Sequence, residues 1–106
     1  MDRVPLSNRP AKPPLELSTQ LLDREIASAI EIARRLRPPM KVFASQLRHE
    51  LGWYSLSNRA VYAWERGEAR VPAAVLIAAA RVANKTVDEL MFKVRALERL
   101  GLRPGD

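Results

Sequence analysis

Residues 73–83, AAVLIAAARVA, carry six alanines and a single charge, Arg81, in eleven positions. A segment this apolar cannot lie on a water-exposed surface, and it falls well short of the roughly 20 residues that cross a bilayer. It has to be enclosed. Its small side chains let neighbouring helices approach closely, so the sequence asks for a central helix wrapped by others. A chain of 106 residues has room for one such domain and a core just large enough to be stable without staples.

The remaining helices are bounded by residues that cannot continue them. Leu22, Ile26, Ala29, Ile30, Ala33 and Leu36 recur at three- and four-residue spacing. They predict a first helix that starts after Ser18 or Thr19, either of which can cap it, and runs to about Leu36, where Pro38 and Pro39 forbid more. A second helix spans roughly Lys41 to Leu51, with Phe43 or Ala44, Leu47 and Leu51 inward and Gly52 ending it. Trp53 to Leu56 form a turn. Ser57 caps a third helix, its hydroxyl accepting from the N–H of Ala60, and Gly67 permits a left-handed stop after Arg66. Pro72 opens the central fourth helix, which ends near Ala83, and Asn84 and Lys85 turn the chain. Thr86-Val87-Asp88-Glu89 is a capping box that starts a fifth helix, stopped by Gly101. The expectation is an all-α five-helix bundle without strands, covering residues 18–102. A basic, Pro-rich arm (1–17), disordered in isolation, precedes it, and a short tail (103–106) follows. The arm can enter a minor groove, as homeodomain arms do, or have no part in binding.

The net charge is +6, and between Arg34 and Arg70 there are eight basic residues against three acidic ones. The excess therefore sits in one half of the chain and asks for a polyanionic partner. Nucleic acid fits better than membrane, because no helix sets a Lys/Arg face against a Trp/Phe/Leu face. Cysteine is absent and His49 is the single histidine, so no thiolate site, disulfide or zinc site is expected, and no cofactor. With no signal-peptide core and no spanning segment, the sequence reads as that of a soluble, cytoplasmic protein, associated with the nucleoid through DNA.

The run SNRAVYAWERGEARVP, Ser57 to Pro72, concentrates the functional signal. As a helix it sets Asn58, Arg59 and Tyr62 on one side and Val61 and Trp64 on the other. A capped helix whose first turn offers hydrogen bonds and positive charge suits the major groove, and Arg66 and Arg70 in the following loop suit the flanking phosphates. Val61 and Trp64, opposite Arg59, belong to the core or its rim.

Leu36-Arg37, Leu47, Leu51-Gly52, Val61, Trp64-Glu65-Arg66-Gly67, Pro72 and Val87-Asp88-Glu89-Leu90 together resemble the Cro/phage-repressor (XRE) class of helix-turn-helix domains. The Trp-Glu-Arg-Gly element with Pro five residues later is the most specific. The resemblance covers about sixty residues, from about Ala29 to Met91. It implies a lambda-repressor-like fold, with the helix-turn-helix at about 41–66, and a sequence-specific bacterial transcriptional regulator. Base contacts would come from Asn58, Arg59 and Ala63, with Tyr62 alongside. Arg59 can donate a bidentate pair to guanine, Asn58 can bond adenine, and Ala63 can meet a thymine methyl. Tyr62 is equally well read as half-buried against the second helix. Phosphate contacts would come from Lys41, Ser45, Gln46, Arg48, Ser57, Arg66 and Arg70. The family pattern further suggests that Glu65 pairs with Arg37, since a carboxylate on a phosphate-facing surface needs a partner. Two features depart from the family. Arg48 stands where a small residue, most often Ala, usually follows the Leu matched to Leu47, and the turn before the third helix is about three residues longer.

The regulator would bind double-stranded DNA as a homodimer, with the fifth helix (Met91, Phe92, Val94, Leu97, Leu100) as its pairing surface or as a cover for the core. A second class of function is an antitoxin-like or adaptor module that binds another protein through Trp53, Tyr54 and Leu56 in the long turn. An enzyme is the least supported reading. There is no Ser/His/Asp arrangement and no phosphate loop, Asp88 and Glu89 suit the positive end of the fifth helix, and His49 reads as an exposed residue of the second.

Overall fold

A computed structural model describes residues 15–105, with side chains from residue 21 onward. The element order is α1 (Leu15–Arg35), α2 (Met40–Leu51), α3 (Asn58–Glu65), α4 (Ala73–Val82) and α5 (Val87–Arg99), and there is no strand among the described residues. Residues 1–14 of the expected arm and Asp106 of the tail lie outside the described residues. Among those described, no helix is long and apolar enough to cross a membrane.

The alanine-rich segment is the hub. Val75, Ala78, Ala79, Ala80 and Val82 of α4 are buried, and α4 packs against α1, α2 and α5. Alanine at these positions leaves no room between helix axes for anything larger. Around it close Ala29, Ile30 and Ala33 of α1, Phe43, Ala44 and Leu47 of α2, Val61 and Trp64 of α3, and Leu90 and Val94 of α5. Of the two alternatives for α2, Phe43 and Ala44, both are buried.

Local signals set most boundaries. Ser57 accepts from the Ala60 N–H at 3.1 Å. Thr86 and Glu89 form the reciprocal capping box, at 3.0 Å to the Glu89 N–H and 2.7 Å from the Thr86 N–H. Gly52, Gly67 and Gly101 have φ of 71°, 74° and 72°, and Asn84 turns the chain at φ 58°. At Gly67 a Cβ would meet no atom within 4 Å. The cost of replacing it is therefore backbone strain alone, and Gly67→Ala is expected to lower stability by about 1 kcal/mol in urea unfolding.

Three details differ from expectation. α1 begins at Leu15, ahead of Ser18 and Thr19 and inside the stretch assigned to the arm, so both residues lie within the helix and not at its start. Along α1, Leu22 is exposed while Ala27 and Ile32 are buried. The helix packs against α3, α4 and α5, so its buried surface is wider than one stripe. Pro72 is the N-cap of α4, extended at φ −65°, ψ 148°, one residue earlier than expected.

Candidate nucleic-acid interface

α3 packs on α1 and α2 through Val61 and Trp64, both buried. At about 100° per residue this burial leaves Asn58, Tyr62, Arg59 and Ala63 on one outward arc. Asn58, Arg59 and Tyr62 are exposed there and Ala63 is half-buried. Among the described residues Arg59 has no ion-pair or hydrogen-bond partner. Its guanidinium projects from the first turn, where the helix dipole is already positive and where α3 has no acidic residue. That placement slightly opposes helix formation and favours an incoming anion.

α2 repeats the arrangement at its own start. Lys41 is exposed and unpaired among the described residues, and the first turn of α2 has neither an acidic residue nor a side-chain cap. Ser45 and Gln46 follow it on the exposed side, as does His49. By contrast the first turn of α5 carries Asp88 and Glu89. From α2 to α5, the helix starts without acids are thus those of α2 and α3 in the basic half, together with that of α4.

The other candidate cations are engaged within the chain. Arg66 donates to both oxygens of Glu68, at 2.8 and 3.2 Å. This contact raises the Arg66 pKa and lowers that of the Glu68 carboxyl. Arg70 pairs with Asp23 of α1 at 3.1 Å. Both pairs lie at the surface, and a phosphate can displace either carboxylate, because exposed ion pairs contribute little to stability. Ser57 uses its oxygen as an acceptor for the cap, which leaves its hydroxyl hydrogen available to a phosphate.

Arg48 does something else. Its Nη1 donates to the carbonyl of Leu56 at 2.9 Å, and its own carbonyl receives the N–H groups of Gly52 and Trp53 at 2.8 and 3.2 Å. The Leu56 N–H closes on the Trp53 carbonyl at 3.1 Å. The long turn is therefore a built element, and Arg48 clasps it through one of its guanidinium nitrogens. Leu56, expected to be exposed, packs against the core. Trp53 and Tyr54 remain outside, at 40% and 77% exposure.

The ion pair of Glu65 is with Arg34, not Arg37. Arg34 donates through Nε and Nη2 at 2.5 and 2.9 Å to a carboxylate only 6% exposed, and the contact raises the Arg34 pKa, chiefly by hydrogen bonding. The guanidinium also lies 5.5 Å from the Tyr62 ring centroid, within cation–π range, so Tyr62 is braced by α1. Arg37 comes after the last helical residue of α1 and donates instead to the Val82 carbonyl at the end of α4, at 2.8 Å, where a cation suits the negative helix end. The signal for Arg34 was its position four residues after the fully buried Ile30. Because the pair fixes α3 to α1, Glu65→Gln is expected to cost about 1–3 kcal/mol in thermal unfolding.

Among the described residues no group of three or more His, Cys, Asp and Glu side chains could hold a metal ion. Comparison of the chain with family models, with curated proteins and with solved structures gives no match.

Proposed function

We propose that the chain is a sequence-specific DNA-binding regulator with a lambda-repressor-like domain, inserting the first turns of α3 into the major groove. The observation that carries this reading is the state of Arg59. It is exposed, and unpaired among the described residues, beside Asn58 at a capped helix start, opposite the buried Val61 and Trp64 that fix its direction. Arg59 and Asn58 would read bases, Tyr62 and Ala63 would lie against them, and Lys41, Ser45, Gln46 and Ser57 would hold phosphates. Arg66 and Arg70 would join by exchanging carboxylate for phosphate. The Glu65 carboxylate, close to this face, is neutralised by Arg34.

Retardation of a random-sequence duplex, measured over a salt series, tests the proposal. The expected result is a binding constant that falls steeply and log-linearly with salt, with a slope of about −0.9 per phosphate engaged. Absence of binding at low salt would overturn it.

Trp53 and Tyr54, exposed on a turn held by Arg48, favour a second reading, an adaptor domain that grips another protein there. In that case salt-dependent binding would come without sequence preference.

A further inference from the structure

The turn between α2 and α3 carries Tyr54, the most exposed aromatic ring among the described residues at 77%. Neither its hydroxyl nor that of the exposed Ser55 has a hydrogen-bond partner among those residues. The backbone beneath them is held on both sides. Arg48 donates to the Leu56 carbonyl at 2.9 Å, the Leu56 N–H closes on the Trp53 carbonyl at 3.1 Å, and the Leu56 side chain packs against the core. With Leu56 as its inward anchor, the turn presents Tyr54 to solvent on a fixed backbone, which lowers the ordering cost of any contact the ring makes.

Tyr54 stands four residues before Asn58, so their Cα atoms are at most about 14 Å apart, close to the width of a major groove, about 12 Å. A chain that leads from α2 into a groove-bound α3 therefore passes the phosphates of the groove wall. The charges suit that passage. Residues 51–64 contain no Asp or Glu. The carboxylate just before them, Glu50, is directed to Arg81 of α4 at 3.8 Å, and the one just after, Glu65, is held by Arg34. The negative end of α2 adjoins the turn and is offset by Arg48 in its last helical turn. Exposed aromatics also suit a protein partner, but an acid-free surface with two unpaired hydroxyls favours a polyanion.

We propose, resting on the major-groove reading of α3, that Tyr54 is an uncharged clamp on the sugar-phosphate backbone at the groove wall. Its hydroxyl donates to a phosphate oxygen, its ring lies against the adjoining deoxyribose, and the Ser55 hydroxyl supplies a second donor. Such contacts fix the register of the protein on the duplex and read no base. Because a phenol carries no charge, it replaces no counterion when it binds. It adds affinity without adding to the salt dependence, unlike Lys41. Trp53, beside it and 40% exposed, loses solvent as the duplex arrives.

Retardation of the selected duplex and of a random one by the wild type, Tyr54→Ala and Tyr54→Phe, over a salt series, tests this. Tyr54→Ala is expected to bind both duplexes about tenfold more weakly, with the salt slope and the melting temperature of the wild type. Tyr54→Phe, which keeps the ring and loses the donor, should fall between them. Acrylamide quenching of the wild type gives an independent readout. Trp64 is 7% exposed, so the quenchable emission comes from Trp53, and the duplex should protect it. Tyr54→Ala binding as tightly as the wild type is what a protein-binding turn predicts, and it would overturn the proposal while leaving α3 in the groove. So would Tyr54→Phe equal to the wild type, a loss confined to the selected duplex, a reduced salt slope in Tyr54→Ala, or Trp53 quenched equally with and without duplex. A wild type that binds no duplex would overturn both this proposal and the reading of α3.

Discussion

Replacing Phe43 by alanine is expected to destabilise the protein by about 3–5 kcal/mol, more than truncating any other fully buried side chain. Phe43 is the largest of these side chains and lies on α2, which packs directly on α4. The α4 side chains buried in the core are Val75, Ala78, Ala79, Ala80 and Val82, too short to fill the space, so the cavity would largely persist and its volume would add to the lost transfer free energy. For a domain whose whole stability is of order 5–15 kcal/mol, that loss removes about a fifth at the least. The melting temperature should fall by more than about 10 °C. Thermal unfolding followed by circular dichroism measures it. A loss below about 1 kcal/mol would mean that α2 and α4 do not share the core.

Arg59→Ala is expected to leave folding unchanged and to abolish preference at one base position, a loss of about 1–3 kcal/mol in discrimination. The expectation follows from exposure and from the lack of any partner among the described residues: nothing there is broken when the side chain goes. A phosphate contact behaves differently. Lys41→Ala should weaken binding to all duplexes alike and reduce the salt slope by about 1. Selecting bound sequences with the wild type and both variants separates these outcomes. If Arg59→Ala selected the same motif with the same affinity, Arg59 would not be reading a base.

How far this architecture can be read from sequence follows the range of the interaction involved. Ser57, Thr86 with Glu89, Gly52, Gly67, Gly101 and Asn84 act within a turn of themselves, and each sits where its chemistry placed it. The outward arc of α3 was legible for the same reason, since Val61 and Trp64 set its phase. Pairings across helices were not. Arg34 and Arg37 are three residues apart, and which of them reaches Glu65 depends on where α1 ends. Because the helix stops at Arg35, Arg37 leaves the helical path and meets the Val82 carbonyl instead. Arg48 reads as a surface cation until the path of the turn is known, and only then is the Leu56 carbonyl seen within its reach. On α5 the residue pattern alone merges two stripes, Leu90-Val94-Leu97 inside and Phe92-Ala96-Leu100 outside, which the burial of Val94 separates.

The central claim is that the first turns of α3 face a duplex. Titrating ¹⁵N-labelled protein with the selected duplex and following its amide resonances tests that claim at residue level. The account predicts the largest shifts at Ser57–Ala63, smaller ones at Lys41–Gln46, and none confined to α5. Shifts centred on Trp53 and Tyr54 with Asn58 and Arg59 unmoved, or no shifts at all, would contradict it.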